Sequence, residues 1–189
     1  MVSRVALILA LLTSWMDFDT RIQQVVQSHR SPVLEAPMQW ASGFGKPPIV
    51  LGGLLALAIF GGPSGVETAR YAILVLIPTN IIVEVTKRVT HRTRPDGESK
   101  GSNAAFPSSH AANSFALAWV LWRRWPRAGP LLFACAAVVA YSRMYLNRHF
   151  FSDVLVGAAV GLVCAWLVEA ALKRRAEASL AKGDPVADR

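Results

Sequence analysis

The uncharged run from Pro47 to Val66 limits most strongly how this chain can fold. It contains no Asp, Glu, Lys or Arg over about 20 residues, which is the length that an α-helix needs to cross the hydrocarbon core of a bilayer. A soluble domain has little use for such a segment. We therefore expect a chain that folds in a membrane.

Several further apolar segments support this expectation. Hydrophobic residues make up 53% of the 189-residue chain, and its mean hydropathy is +0.36, above the usual range of soluble domains. We predict an all-α, polytopic membrane helix bundle with about six transmembrane helices. Val5–Met16, the first of these segments along the chain, is short for a transmembrane span, so its assignment stays open. The further segments are Val5–Met16, Tyr71–Val83 extended to Lys87, Ala104–Trp122, Gly129–Tyr141 and Val154–Val168.

The segment Asp17–His29 has a different pattern. Its apolar residues recur at helical spacing with polar residues between them, which predicts an amphipathic helix at the membrane interface near the N-terminus. These apolar residues are Phe18, Ile22, Val25 and Val26.

Charge and cysteine content narrow the class of protein. The net charge is +8, but the basic residues lie between apolar runs rather than in a stripe, so we expect a bilayer and no nucleic acid as partner. Cys135 and Cys164 lie inside apolar runs, and we interpret them as buried free thiols. We predict one membrane-embedded domain over residues 1–175 and a flexible charged tail over 176–189; the oligomeric state is left open.

Gly157 and Gly161 form a G-x-x-x-G pattern in the last apolar segment. The pattern occurs on dimerisation faces and also where helices of one bundle pack closely. We favour packing within the bundle.

The first of three polar clusters is "KRVTHRTRP", which closes the third apolar segment. The ammonium of Lys87 and the planar guanidinium of Arg94 together suit an oxyanion such as phosphate. Ordinary cationic flanking of a membrane span is the alternative.

Other polar residues lie beside this cluster. Glu84 lies inside a predicted span, where we expect it to form an ion pair with Lys87 or Arg88. His91 and Arg92 fall in the loop, where they are either solvated or close to a substrate headgroup.

The second cluster is "FPSSHAANS". Pro107 and the serines predict the start of a helix with Ser108 as N-cap, and the free N–H groups of a helix N-terminus favour a phosphate. His110 falls in the first turn, where it could face that phosphate or serve in capping or packing.

The third cluster lies in "YSRMYLNRHFFSDVL". Ser142 and Arg143 end the fifth apolar segment, and His149 and Asp153 begin the sixth. The i, i+4 spacing predicts that the carboxylate accepts a proton from one imidazole nitrogen and leaves the other as a nucleophile. An ion pair at the end of a span is the alternative.

The clusters together read K-x(6)-R-P, P-S-S-H and S-R-x(5)-H-x(3)-D, in that order. This pattern resembles the type 2 phosphatidic acid phosphatase and haloperoxidase superfamily, in its small bacterial membrane form. The match covers Lys87 to Asp153. The family often has glycine where this chain has Ser109, which leaves the geometry of that turn open.

The resemblance implies a lipid phosphatase that needs no metal and no cofactor. It implies that His149 attacks phosphorus to form a phosphohistidine, that Asp153 holds the imidazole tautomer, and that His110 is the general acid and then the base. The resemblance further implies a phosphate-binding set of Lys87, Arg94, Ser108, Ser109 and Arg143. The absence of paired carboxylates or His/Cys clusters with ligand spacing agrees with a metal-free site.

A site at the bilayer edge implies a phosphorylated membrane lipid as substrate. The resemblance offers undecaprenyl-type diphosphate, which we favour, as well as phosphatidate, phosphatidylglycerophosphate and lipid A. The motifs do not separate a monoester from a diphosphate. The alternatives are a non-catalytic protein that binds lipid phosphate, a vanadium-dependent haloperoxidase and, last, a transporter.

The distribution of Lys and Arg predicts the orientation in a bacterial cytoplasmic membrane. Six spans place both termini on one side, and counting gives ten basic residues on each side. We set aside Lys87, Arg94 and Arg143 because they are assigned to phosphate, which leaves seven basic residues on the side of the site and ten on the other side. The positive-inside rule therefore predicts a cytoplasmic C-terminus and an active site on the outer face.

Overall fold

The computed structural model of the chain describes residues 4–98 and 104–181, with side chains from residue 14 onward. This part of the chain is helical and contains no β-strand. A 3-10 helix, Pro126–Ala128, joins the fifth and sixth α-helices. The α-helices are α1 Arg4–Ser28, α2 Pro32–Phe44, α3 Pro47–Phe60, α4 Gly62–Thr90, α5 Ser109–Arg124, α6 Gly129–Tyr145 and α7 Phe151–Ala181.

Three helical segments in the described residues are long and apolar enough to cross a membrane: α4, Pro126–Tyr145 and α7. The pair α2 and α3, bent by 59°, passes the same test when taken as one broken span, which raises the number to four. The prediction of a helical membrane bundle is confirmed, whereas the predicted count of six spans is not.

The uncharged run Pro47–Val66 does not form one helix, so that prediction was wrong. α3 ends at Phe60 and α4 begins at Gly62, whose φ of +62° lies in the left-handed region that glycine adopts most easily. At Gly61, a Cβ atom would lie 2.4 Å from the carbonyl oxygen of Leu57. Two adjacent glycines thus allow a tight reversal where the hydropathy pattern shows only continuity.

α1 joins the predicted segments Val5–Met16 and Asp17–His29 into one helix. Its polar residues Asp19 and Gln23 are buried, while Phe18 and Val25 are 46% and 58% exposed. Ile22 and Val26 of the predicted apolar pattern also pack in the bundle, so the side of α1 that faces the bundle carries both polar and apolar residues.

α5 occupies the centre of the bundle and packs against α4, α6 and α7. A Cβ at Gly157 would lie 2.5 Å from the carbonyl oxygen of Ser108, and one at Gly161 would lie 2.1 Å from that of Ala112. The G-x-x-x-G pattern therefore provides close packing of α7 on α5 within one chain, as predicted.

The outer surface of the bundle is apolar. Leu131, Trp166 and Leu167 are each more than half exposed, and Cys135, which we predicted to be buried, is exposed as well. Lipid is the environment in which such a surface is stable. The predicted tail begins within α7, which continues to Ala181, and residues 182–189 lie outside the described part.

Candidate functional site

The three polar clusters meet at one end of the bundle. The C-terminal ends of α4 and α6 and the N-terminal ends of α5 and α7 lie together there, because these four helices alternate in direction. Each cluster was predicted at a helix end, and the fold brings these ends to one place.

Ser108 caps α5, as the sequence predicts. Its hydroxyl accepts a hydrogen bond from the backbone N–H of Ala111 at 3.5 Å, and its own N–H donates to the carbonyl oxygen of Asp153 at 2.9 Å. The second bond ties the start of α5 to the start of α7. Two helix N-termini therefore converge on the site, and the first N–H groups of a helix have no partner within the helix itself.

Lys87 is 7% exposed and lies in the last turn of α4. Its Nζ donates to the hydroxyl of Ser109 at 2.6 Å and lies 3.3 Å from Oε1 of Glu84, the ion pair that the sequence predicts. Ser109, the departure from the usual glycine, thus provides a direct partner for the ammonium group. The hydroxyl joins the cluster rather than blocking the turn.

Arg143 lies in the last turn of α6 and is 9% exposed. One of its terminal nitrogens donates to the hydroxyl of Ser42 on α2, and its buried Nε has no partner among the described residues. Burial of an unpaired guanidinium N–H is unfavourable without a ligand. Such a group is suited to receive an anion.

Arg94 lies on the loop that follows α4. Its side chain is 10% exposed, and its NH1 lies 4.0 Å from a carboxylate oxygen of Glu98. Arg148 binds the same loop through Asp96 at 2.9 Å. The loop therefore holds Arg94 at the edge of the site.

His149 is buried, and its tautomer is set by a backbone carbonyl. Nδ1 lies 2.7 Å from the carbonyl oxygen of Ala105, which can only accept, so Nδ1 carries the proton and Nε2 keeps the lone pair. The nearest distance from Nδ1 to the Asp153 carboxylate is 3.8 Å. Burial lowers the pKa of His149, which favours the neutral, nucleophilic form.

The predicted bond between Asp153 and His149 is therefore wrong in its geometry. α7 begins at Phe151, so His149 precedes the helix and the i, i+4 spacing does not apply. Asp153 instead accepts from the backbone N–H of Phe150 at 2.7 Å and from Arg92 at 2.6 Å. Its carboxylate acts on the imidazole through space.

His110 lies in the first turn of α5, and its Nε2 is buried without a partner among the described residues. Burial lowers the pKa of His110 to about 3, and the positive charges of Arg143, Lys87 and Arg94 act in the same direction. A Cβ at Gly45, in the bend after α2, would lie 2.6 Å from Cδ2 of His110, so only glycine leaves room there. The second imidazole thus faces the same cationic space as the first.

Three supporting residues were missed by the sequence reasoning: Asp19, Ser42 and, in this role, Arg92. Arg92, expected in solvent or at a headgroup, instead forms ion pairs with Asp19 and Asp153. Asp19 follows a largely apolar segment and lies in the predicted amphipathic helix Asp17–His29. In that prediction the apolar residues, and not Asp19, were assigned a role. Asp17 stands two residues before it, so no local pattern in the sequence singles out Asp19.

The described residues contain no group of three or more His, Cys, Asp or Glu side chains that could hold a metal ion. Lys87, Arg94 and Arg143 contribute positive charge at the site. Convergent cations, two helix N-termini and two imidazoles form an arrangement that can bind a tetrahedral oxyanion and transfer it to a nitrogen.

A family model described as "PAP2 superfamily" matches residues 68–177, more than half of the chain. Two curated relatives are similar over part of their length. A lipid A 4'-phosphatase of Bacteroides thetaiotaomicron is 39% identical over 72 residues, which cover 36% of this chain and 31% of the relative. A decaprenylphosphoryl-5-phosphoribose phosphatase of Mycobacterium tuberculosis is 33% identical over 94 residues, 47% of this chain and 52% of the relative.

A solved structure shares the fold. The phosphatidylglycerolphosphate phosphatase of Bacillus subtilis, a transmembrane PAP2-type protein, superposes with a TM-score of 0.70 at 23% identity over 92% of this chain and 98% of its own. The matched regions cover between 13% and 52% of the curated relatives.

Proposed function

The chain belongs to the PAP2 superfamily, and we propose that it is a membrane lipid phosphatase that works through a phosphohistidine on His149. The observation that carries the proposal is that the buried imidazole of His149 and the half-buried imidazole of His110 lie with three cations at converging helix ends. His149 has a fixed tautomer with Nε2 as lone pair, and His110 has a free buried Nε2 in the described structure.

In the first step, Nε2 of His149 attacks the terminal phosphorus, and the bond from that phosphorus to the rest of the lipid breaks. The leaving oxygen is the ester oxygen of a monoester or the bridging oxygen of a diphosphate. The bound phosphate dianion offsets the neighbouring cations that lower the pKa of His110, so in the complex His110 carries a proton, which it donates to that leaving oxygen. A well-placed general acid contributes about 10²–10⁴-fold. Asp153 stabilises the positive ring of the phosphohistidine. The cations and the backbone amides near Ser109 bind the non-bridging oxygens, whose charge must be balanced throughout the transfer.

In the second step, water attacks the same phosphorus and the bond to Nε2 breaks. His110, now neutral, accepts the proton from that water. Inorganic phosphate leaves and both imidazoles return to their starting states. No step requires a metal ion, so we expect activity to survive chelation.

An apolar groove beside the site supports a lipid as substrate. It measures about 680 Å³ and lies between α2, α5 and α6. Ser114 lines it one turn beyond His110, and Phe44 and Leu117 continue its apolar wall. A hydrocarbon chain in this groove would leave its phosphate at the helix ends where the cations converge.

We favour an undecaprenyl-type diphosphate as the substrate. A relative whose name specifies a decaprenylphosphoryl compound supports an isoprenoid chain, while one that is named for lipid A supports a different class. The test is phosphate release by the purified protein from undecaprenyl diphosphate, phosphatidate, phosphatidylglycerophosphate and lipid A, each with and without chelator.

The same assay tests the transition state. Vanadate adopts a trigonal bipyramidal geometry like that of the transferred phosphoryl group, so we expect it to inhibit. Binding of all four lipids without phosphate release would favour the non-catalytic alternative. A chelated, inactive enzyme that regains activity with a divalent metal would overturn the metal-free mechanism.

We further propose that the site faces the outside of a bacterial cytoplasmic membrane and that the C-terminus is cytoplasmic. The dense basic loop Arg123–Arg127 at the opposite end supports this orientation. Single cysteines in a Cys135→Ala, Cys164→Ala background provide the test. An impermeant reagent should label Ser99→Cys, which lies outside the described residues, in intact cells and Ala128→Cys only after lysis; the reverse pattern would contradict the orientation.

A further inference from the structure

A buried ion network behind His149 links the motif residue Asp153 to two residues that are not motif positions, Arg92 and Asp19. The guanidinium of Arg92 donates to Asp153 through NH1 and to Asp19 through NH2, both at 2.6 Å. Asp19 is 1% exposed and Asp153 is fully buried. Buried charges are expensive even when they are paired, so this network needs a reason beyond the stability of the fold.

Asp19 holds the beginning of α7. Its Oδ1 accepts from the backbone N–H of Ser152 at 2.9 Å, and its Oδ2 accepts from the Ser152 hydroxyl. A carboxylate at a helix N-terminus pairs with a free N–H and with the positive end of the helix dipole. Asp19 thereby fixes α1 to the chain three residues after His149.

Arg92 holds both groups that act on the His149 ring. Its backbone carbonyl accepts from the N–H of Ala105 at 2.8 Å, and the carbonyl of Ala105 in turn accepts from Nδ1 of His149. Its side chain fixes Asp153, whose carboxylate lies 3.8 Å from the same nitrogen. The ring therefore depends on Arg92 through two separate connections.

The charges of the network do not cancel. Two carboxylates surround one guanidinium, which leaves one net negative charge next to the ring, opposite the positive charges of Arg143 and Arg94 that also reach it. When His149 attacks phosphorus, its ring gains a positive charge. A residual negative charge on the far side of the ring stabilises this state and contributes nothing to the neutral ground state.

We propose that Asp19 and Arg92 are positioning residues for His149, which hold the Ala105 carbonyl and the Asp153 carboxylate and leave one net negative charge behind the ring. This proposal rests on the proposed function, because it concerns the same phosphoryl transfer. Asp19 is 1% exposed and the Arg92 guanidinium is paired with Asp19 and Asp153, so we assign neither residue a direct contact with the substrate. The effect of each should fall on kcat rather than on KM, since the network acts on a charge that develops only during the reaction.

The first variant is Asp19→Asn, which keeps the shape and the capping oxygen but removes the charge. We expect kcat to fall about 10–100-fold, as for a lost bond to a charged group, with little change in KM. Asp17→Asn makes the same chemical change on an exposed residue of α1 and is the matched control. Equal kcat values for the two variants would overturn the proposal.

A double-mutant cycle separates the effect of charge from that of packing. Arg92→Met should leave the carboxylates of Asp19 and Asp153 facing each other, and their repulsion should displace Asp153 from its position beside His149 and lower kcat. Arg88→Met, at an exposed position of α4, should not lower kcat. In the double variant Asp19→Asn, Arg92→Met, the net charge behind the ring is again one negative charge, as in the wild type. We therefore expect a higher kcat in the double variant than in Arg92→Met alone. A double variant as slow as Arg92→Met, or slower, would mean that the network only packs the fold.

Thermal unfolding of each purified variant accompanies the kinetics. If Asp19→Asn does not fold, a comparison of Arg92→Lys with Arg92→Met provides the same test. Arg92→Lys keeps the positive charge and should therefore retain the larger kcat. A wild-type protein that releases no phosphate from any lipid of the panel would overturn the proposed function. Wild-type turnover together with equal activity of Asp19→Asn and Asp17→Asn would overturn only the positioning proposal.

Discussion

The two ends of the bundle both carry ion pairs, but they differ in how deeply these are buried. At the site end, the two carboxylates that pair with Arg92, those of Asp19 and Asp153, are at most 1% exposed. At the opposite end, Glu169 joins Arg123 and Lys173, whose side chains are 44% and 61% exposed. Solvent-exposed pairs contribute little to stability, whereas buried charges are maintained only with many partners.

The difference indicates what each end is for. Glu169 accepts hydrogen bonds or ion pairs from Trp119, Arg123 and Lys173, so its charge is balanced by neighbours at the bundle edge. At the site end, the buried Nε of Arg143 and Nε2 of His110 have no partner among the described residues. Unpaired buried donors and acceptors are unfavourable for folding and favourable for binding a ligand.

His149→Ala should produce the largest loss. Without Nε2 there is no nucleophile, and the loss should exceed the effect of about 10²–10⁴-fold for a general acid. Turnover of the lipid panel by the purified variant measures it. A variant that keeps about a tenth of the wild-type rate would exclude the covalent route, since an effect that small is below that of one general acid.

His110→Ala should rank second. It removes the proton donor of the first step and the base of the second, with an expected loss in kcat of about 10²–10⁴-fold. Substrates with a better leaving group should need the donor less. The variant should therefore lose less activity on an activated aryl phosphate than on a lipid monoester; equal losses on both would argue that His110 only binds.

Asp153→Asn should have a smaller effect than either histidine change. The carbonyl of Ala105 still sets the tautomer of His149, so only the charge and the bond to Arg92 are lost. A decrease in kcat of about 10–100-fold is expected. A decrease as large as that of His149→Ala would mean that Asp153 controls the tautomer after all.

Glu169→Gln, at the opposite end, should have the smallest effect. Glutamine can still accept from the indole N–H of Trp119, and the lost ion pairs are solvent-exposed, worth about 0–1 kcal/mol each. Lipid phosphatase activity should equal that of the wild type, and thermal unfolding should shift by only a few degrees. A loss of activity comparable to that of Asp153→Asn would remove the distinction between the two ends.

The sequence predicted the residue types of the site because each motif lies at the end of an apolar segment. Ser108 shows this best, since its N-cap role follows from local spacing and the structure has it. Membership of the family could be predicted for the same reason, because the three clusters keep their order and spacing along the chain.

The supports of the site could not be predicted, because they depend on contacts distant in sequence or on backbone atoms. The partner of His149 is the carbonyl of Ala105, a group that every residue carries. Asp19 meets Ser152 across 133 positions. The break at Gly61 was missed because hydropathy does not record backbone reversal, and this turned one expected span into parts of α3 and α4.

The most direct test of the central claim is to locate the phosphate on the protein during turnover. Lipid substrate labelled in its phosphate is mixed with the enzyme and quenched in alkali, where a phosphorus–nitrogen bond survives, and the labelled peptide is identified by mass spectrometry. We predict label on His149, its absence in His149→Ala, and wild-type amounts in Glu169→Gln. Label on another residue, or full turnover by His149→Ala, would contradict the account.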